Sequence, residues 1–207
     1  FNSGTIQGGI VGSGLSTFAS AITLGAGNSI GELINTGTID HSVCLGGTCF
    51  AAIENAGGSI DTITNFGTLT SGNTGTDGYG IINGVTGRIG TLNNDQNNLK
   101  YYGTLPANYL NIIYGLSTYG SLAVTNGSGV MSFGVDAAAP IGTSTYANVL
   151  SGIDEGNLAT TSGTWGGGLF NNTWTLTSAA PSQWDLQLTS QAIVPSVETS
   201  AGEKLAD

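Results

Sequence analysis

The first hundred residues contain a repeat of about 30 residues, and this repeat restricts the fold more than any other feature. Three segments align with one another: Ile30–Ile39, Ile60–Leu69 and Ile89–Asp95. Their first isoleucines lie 30 and then 29 residues apart. A unit of this length cannot bury its apolar face alone, so it becomes stable only by stacking on its neighbours. The repeat therefore predicts stacked units.

Each unit contains short strand patterns separated by Asn-x-Gly corners, such as Asn35-Thr36-Gly37 and Asn65-Phe66-Gly67. Asparagine and glycine tolerate the positive φ angles of tight turns. Short strands of this kind can stack about 4.8 Å apart through backbone hydrogen bonds. The pattern favours an all-β chain with a right-handed parallel β-helix of about three coils over residues 1–100. A glycine-rich β-sandwich with coincidental spacing is the alternative.

Stacking would bring equivalent residues of successive coils into line. Inward aliphatic side chains should then form columns, and the corner asparagines should form a ladder. The expected columns are Ile30, Ile60 and Ile89, then Leu33, Ile63 and Leu92, with Ile39 and Leu69 starting a third; the expected ladder is Asn35, Asn65 and Asn94.

The composition and periodicity of the sequence change after Lys100, where the 30-residue period stops. All three tryptophans and six of the seven tyrosines follow this point. Asn172–Thr177 and Gln183–Leu188 alternate and are separated by a short turn, which predicts a hairpin with Trp174 and Trp184 in the core. Residues 101–193 are therefore predicted to form a largely antiparallel, aromatic-rich cap, and residues 194–207 an acidic tail or linker. Further strands are expected at Asn108–Tyr114, Ser121–Asn126, Val130–Val135 and Thr145–Leu150.

Charge and composition exclude several functions. The net charge is −10 with only three basic residues, so the chain cannot neutralise a run of nucleic-acid phosphates. No stretch of about 20 apolar residues is present, so we expect no membrane insertion by this segment. The scarcity of helix formers and the wealth of Gly, Ser, Thr and Asn indicate a β-rich, extracellular protein.

Two cysteines, Cys44 and Cys49, lie five positions apart in an inserted loop at residues 40–52. Their spacing favours a disulfide-closed loop and an oxidising compartment. Two thiols and His41 do not reach the four ligands of structural zinc, so no metal is expected. We expect His41 to be a solvent-exposed loop residue.

Catalytic patterns are sparse. No serine-protease motif is present, and the carboxylates that could form a glycosidase pair are scattered. Glu32 and Asp61 occupy nearly equivalent positions on neighbouring repeats, with Arg88 close by, which is more typical of a surface ion pair. We expect no enzyme and no cofactor.

Several motifs occur in a distinctive order. Ile-x-Asn-x-Gly-x-Ile/Leu repeats precede Gly103–Ile113, and Tyr119–Thr125, Tyr146–Gly152, Trp174-Thr175-Leu176 and Trp184-Asp185-Leu186 follow. Over about residues 1–190 the chain resembles the C-terminal part of passenger domains from Gram-negative type V autotransporters. The resemblance implies a β-helical passenger at the bacterial outer cell surface whose final part acts as a folding nucleus. Most such passengers serve in adhesion, aggregation or biofilm formation.

The sequence therefore predicts a non-enzymatic extracellular or cell-surface protein for adhesion, aggregation or biofilm matrix. Phe1 begins inside what looks like a coil, and this uncapped edge could accept a strand from another copy to form a fibre. Expected partners are copies of itself or surface glycans. The alternatives are a glycan- or host-surface-binding module acting through residues 40–52, and a β-helical polysaccharide-processing enzyme.

Overall fold

The structure is a computed structural model that describes residues 1–8, 20–41, 51–71 and 78–193. In these ranges the protein is all-β, with one short 3₁₀ turn at Glu155–Asn157. The described strands are β1 (Thr5–Gly8), β2 (Ile22–Leu24), β3 (Ser29–Asn35), β4 (Thr38–His41), β5 (Ile53–Asn55), β6 (Ser59–Asn65), β7 (Thr68–Ser71), β8 (Ile81–Asn83), β9 (Arg88–Asn94), β10 (Leu99–Thr104), β11 (Asn108–Asn111), β12 (Ile113–Gly115), β13 (Thr118–Tyr119), β14 (Leu122–Ser128), β15 (Ser132–Val135), β16 (Ser144–Ser151), β17 (Ser162–Thr164), β18 (Phe170–Ala180) and β19 (Gln183–Ala192).

Parallel pairing links each repeat to the next. The three-stranded sheet has the order β1-β4-β7, and the five-stranded sheet has the order β15-β11-β9-β6-β3. The nine-stranded sheet runs β17-β18-β19-β16-β14-β10-β8-β5-β2. Each strand of one repeat thus pairs with the strand at the same place in the next repeat. We call β1–β9 the repeat stack.

Parallel pairing continues beyond the end of the sequence period. β10 pairs in parallel with β8 and β14, and β11 pairs in parallel with β9 and β15. The connection from β9 to β10 contains only residues 95–98, so these later turns have no strand in the three-stranded sheet. Backbone hydrogen bonding needs suitable spacing but no particular side chain, which explains why pairing outlasts the residue pattern.

Antiparallel pairing dominates the last part of the described chain. β19 pairs antiparallel with both β16 and β18, so the hairpin predicted for this region is confirmed. We call β18–β19 the terminal hairpin. The predicted strand Asn108–Tyr114 is divided into β11 and β12.

The core changes from aliphatic to aromatic along the chain. Trp174 and Trp184 are 3% and 7% exposed, which confirms their predicted place in the core. The Trp174 ring meets Phe133 edge-on at 5.1 Å between centroids. Trp184 Nε1 donates a 2.8 Å hydrogen bond to the Ile153 carbonyl oxygen, which satisfies the indole N–H in the core.

The corner positions Gly37 and Gly67 require glycine because the backbone of an adjacent repeat lies close to them. Neither Gly37 nor Gly67 has a positive φ, and the asparagines two residues before them do not either. A Cβ on Gly67 would overlap the carbonyl oxygen of Gly37, and a Cβ on Gly37 would overlap that of Gly4. The expectation of positive φ at these corners was therefore wrong. Glycine is needed there because the backbone of the preceding repeat occupies the space of a side chain.

Candidate functional site

A row of asparagine amides runs through one corner of the repeat stack. Asn35, Asn65 and Asn94 lie in register on β3, β6 and β9, and all are completely buried. Asn35 Nδ2 donates to Asn65 Oδ1 at 2.8 Å, and Asn65 Nδ2 donates to Asn94 Oδ1 at 3.1 Å. Asn2 extends the row by donating to Asn35 at 2.8 Å. This amide ladder satisfies buried polar groups while it joins four repeats.

The aliphatic residues of the repeats also lie opposite one another. The register pairs Ile30 with Ile60 and Ile60 with Ile89; it likewise pairs Leu33 with Ile63 and Ile63 with Leu92. The residues on β6 and β9 are buried, whereas the two on β3 are only partly buried. Within the described residues the apolar columns are therefore least covered at the β3 end, which we call the open end.

Three edge strands border this open end. β1, β2 and β3 are each the outermost strand of one main sheet. The outer edge of β3 already takes an extended segment at one point: Asn2 N donates to Ile34 O, and Thr36 N donates to Asn2 O, both at 2.8 Å. Asn2 and Asn35 thereby form a parallel bridge. Since backbone groups alternate along a strand, Glu32 directs its N–H and C=O to the same outer side as Ile34.

The opposite edge of the three-stranded sheet is closed by a side chain. Gln96 Oε1 accepts from Leu69 N at 2.8 Å, and Gln96 Nε2 donates to Leu69 O at 3.1 Å. The glutamine amide thus occupies the place of a peptide group in a neighbouring strand. It also accepts from Asn65 Nδ2 at 3.1 Å, which connects the closed edge to the ladder.

Sequence reasoning missed both Gln96 and a second amide row. Asn55 and Asn83 are in register and completely buried, and Asn55 Nδ2 donates to Asn83 Oδ1 at 2.9 Å. The signal for this row was present as two Ile-x-Asn patterns at Ile53 and Ile81. Nothing comparable marked Gln96, whose role depends on where β7 and β9 lie.

His41 corrects one expectation. It is 1% exposed and ends β4, where it lies between Gly8 and Ser71 in the register. Alternation along a strand places it on the same face as the buried Ile39. The prediction of a solvent-exposed loop residue was wrong because β4 continues through His41. Cys44 and Cys49 fall in residues 42–50, outside the described ranges, so the disulfide stays a prediction.

The candidate carboxylate pair is out of register. Glu32 lies opposite Thr62, one position away from Asp61, and Arg88 lies opposite Ser59. Among the described residues no group of three or more His, Cys, Asp or Glu side chains could hold a metal ion.

Titratable groups respond mainly to burial. Burial raises the pKa of Asp95, partly opposed by a hydrogen bond from the backbone. Burial, and then the nearby charges of Asp95 and Asp136, raise the pKa of Tyr114. Burial also raises the pKa values of Tyr101 and Tyr109, partly opposed by hydrogen bonds with asparagines of the two amide rows. These shifts follow packing and identify no acid–base pair.

In the part of the chain that the structure describes, no helix has the length and apolar character needed to cross a membrane. No protein-family model, curated protein or solved structure matches this chain.

Proposed function

We propose that this chain is a non-enzymatic structural protein of the extracellular space or cell surface, in which the repeats wind as a right-handed parallel β-helix. Its role is adhesion, aggregation or matrix building through assembly with copies of itself. The observation that carries the proposal is the outer edge of β3, the last strand of its sheet among the described residues, where Asn2 already pairs in parallel with one end of the strand.

An edge strand of this kind favours strand addition. The outward backbone N–H and C=O of Glu32 can pair with an extended segment of a second copy, next to the point where Asn2 already bonds the Ile34 carbonyl oxygen. The partly buried Ile30 and Leu33 would gain cover at the same time. The described part of the chain has unlike ends, because its last two strands form the terminal hairpin. A contact between unlike surfaces propagates into a filament unless it closes into a ring.

The outer surface suits a matrix or adhesion role. Thr62, Thr91, Asn108 and Ser132 lie in successive register on the five-stranded sheet and carry no charge. On the same two strands as Thr62 and Thr91, Asn93 Nδ2 donates to Thr64 Oγ1 at 3.1 Å. The net charge of −10 limits unspecific association between copies. Assembly would then depend on the directional hydrogen bonds of an edge.

The test uses a substitution that blocks the outer edge without touching the inner ladder. Glu32→Pro removes an N–H that faces away from β6, a place where an edge strand accepts proline. Glu32→Ala is the matched control, because it removes the carboxylate and keeps the N–H. Negative-stain microscopy and light scattering should show filaments for the native chain and for Glu32→Ala, and monomers for Glu32→Pro. A native chain that stays monomeric at high concentration would refute the assembly role.

A further inference from the structure

A shallow groove of about 380 Å³ lies where three neighbouring strands of the nine-stranded sheet come into register. Leu99 of β10 pairs with Leu122 of β14, which pairs with Leu150 of β16. The volume falls within the range of roughly 300–1,000 Å³ that is typical of ligand sites. All described residues that line this groove are uncharged.

Two asparagines on the groove have an unusual backbone conformation. Asn98 has a φ of 55° and Asn148 a φ of 51°, and only two other non-glycine residues in the described ranges, Asn126 and Ser182, share this left-handed region. Glycine adopts the conformation without steric penalty. An asparagine at these positions therefore supplies a side chain that the backbone does not need.

The surrounding structure holds both asparagines in place. Asn98 N donates to Ser121 Oγ at 2.6 Å, and that hydroxyl donates to Asn97 Oδ1 at 3.0 Å. Asn148 lies where the pairing of β16 with β19 is interrupted by a bulge, and its N–H donates to Asp185 Oδ1 at 2.8 Å. Bulges next to binding sites commonly redirect a side chain.

The two side-chain amides are available for binding. Asn98 and Asn148 are exposed, and no hydrogen bond joins either side chain to another residue within the described chain. Each amide offers two donors and one acceptor, a set that matches neighbouring hydroxyl groups. Tyr119 adds an apolar ring: it is half-buried, its hydroxyl donates to Ala147 O at 3.1 Å, and Tyr146 contacts it edge-on at 5.2 Å.

We propose that this groove binds a neutral saccharide. The amides of Asn98 and Asn148 bond sugar hydroxyls, and the Tyr119 ring contacts the apolar face of the sugar. The net charge of −10 and the uncharged lining disfavour sugars that carry carboxylates. The groove is lined by the connection from β9 to β10 and by residues of β13, β14 and β16, and by none of the edge strands at the open end, so binding does not depend on self-assembly.

The test replaces both asparagines with glycine. Asn98→Gly and Asn148→Gly keep the left-handed backbone and the two backbone hydrogen bonds, and they remove only the amides. Asn126→Gly is the matched control: Asn126 has a φ of 52°, lies outside the groove, and bonds the Tyr102 hydroxyl at 2.9 Å. The circular dichroism and melting temperature of each variant establish that it is folded.

The isotope-labelled chain is titrated with lactose, maltose and chitobiose, and with 3′-sialyllactose as the charged counterpart of lactose. We expect at least one neutral disaccharide to shift the side-chain amide resonances of Asn98 and Asn148 at concentrations on the order of 10 mM. The double glycine variant should bind it at least about tenfold more weakly, and Asn126→Gly within about twofold of the native chain.

Three results would overturn the proposal. The first is the absence of shifts at the groove with all three neutral disaccharides. The second is undiminished binding by the double glycine variant. The third is binding of sialyllactose as tightly as lactose. Because none of these measurements depends on filaments, a failure here leaves the assembly proposal standing, and a failure of assembly leaves this one standing.

Discussion

The repeat stack and the terminal hairpin differ in how their strands pair and in which side chains fill their interiors. In the repeat stack, each strand pairs in parallel with a strand about 30 residues away, and buried asparagines bond the equivalent asparagines of neighbouring repeats. In the terminal hairpin, β18 and β19 pair antiparallel across a short turn, and large aromatic and leucine side chains fill the interior. Each unit of the stack needs a neighbouring repeat for its strand pairing. The two strands of the hairpin are adjacent in sequence and pair with each other.

This difference is accompanied by a difference in how well the apolar side chains of the two regions are covered. In β3, the outermost described strand of the five-stranded sheet, Ile30 and Leu33 are only partly buried, while Trp174 and Leu186 in the hairpin are closed from solvent. A parallel stack always ends in unpaired strands, so one end must be covered by another element or by another molecule. Substitutions in each region test this comparison, in order of decreasing effect.

The largest effect should come from Asn65→Leu. The change removes four hydrogen bonds from a buried corner, those with Asn35, Asn94, Gln96 and Gly67, and each lost hydrogen bond costs about 1 kcal/mol net. We expect a loss of about 4 kcal/mol in the free energy of unfolding, measured by urea denaturation. In the hairpin region, Asn172 is buried with an Oδ1 that has no partner among the described residues. Asn172→Leu should therefore cost under about 1 kcal/mol, and equal losses for the two variants would contradict the comparison.

Gly67→Ala should have the next largest effect. The added Cβ meets the backbone carbonyl of Gly37, which cannot move without shifting a whole repeat. We expect a loss of about 3 kcal/mol, measured by denaturation. Gly31→Ala in β3 is the control, since no atom lies within 4 Å of its Cβ position, and it should be close to neutral. A mild effect of Gly67→Ala would mean that the corners do not hold the spacing of the repeats.

Gln96→Leu should have a smaller effect on stability and a visible one on association. The substitution leaves the Leu69 N–H and C=O unpaired at the edge of β7. We expect a loss of about 2 kcal/mol, together with concentration-dependent aggregation measured by light scattering. Gln187→Leu on the exposed face of β19 is the matched control. Aggregation of both variants to the same extent would attribute the effect to added hydrophobicity alone.

Asp95→Asn should have the smallest effect on the free energy of unfolding, and this effect should depend on pH. Burial raises the pKa of Asp95 in the folded state above its ordinary value. The native chain therefore loses stability as the pH rises through the folded-state pKa, and it is relatively favoured below about pH 4, where the unfolded chain is protonated too. Asparagine removes this loss, so the variant should be more stable than the native chain at pH 7 by under about 1 kcal/mol, because the group is partly exposed. Denaturation at pH 3.5 and pH 7 measures the difference, and a larger gain at the lower pH would contradict the assignment.

The sequence predicted the all-β class because recurring residues indicate stacking. Isoleucine and asparagine recur at fixed offsets where a side chain must meet its equivalent, so Ile60 and Asn65 could be placed opposite their partners before any coordinates. The parallel pairing of β10 and β14 left no such pattern, because their contact depends on the backbone and on packing around Tyr101 and Val124.

The candidate sites were harder to predict for a related reason. The role of Gln96 exists only once the connection from β9 has skipped one face of the stack and brought the side chain beside Leu69. The left-handed backbones of Asn98 and Asn148 depend on a serine and an aspartate that are distant in sequence, Ser121 and Asp185. Single residues acting through long-range contacts leave no periodic signal.

The amide ladder has a direction. Asn2 donates to Asn35, Asn35 to Asn65 and Asn65 to Asn94, and in the second row Asn55 donates to Asn83 in the same sense. Aligned amides add their dipoles, as the peptide groups of a helix do. One end of the row therefore presents oxygen and the other presents N–H. At the Asn94 end the N–H is buried and donates to Gln96 O at 2.8 Å, so the row cannot be continued there. A second copy could extend the row only at the Asn2 end, and it would have to offer a hydrogen-bond donor to the oxygen that this end presents.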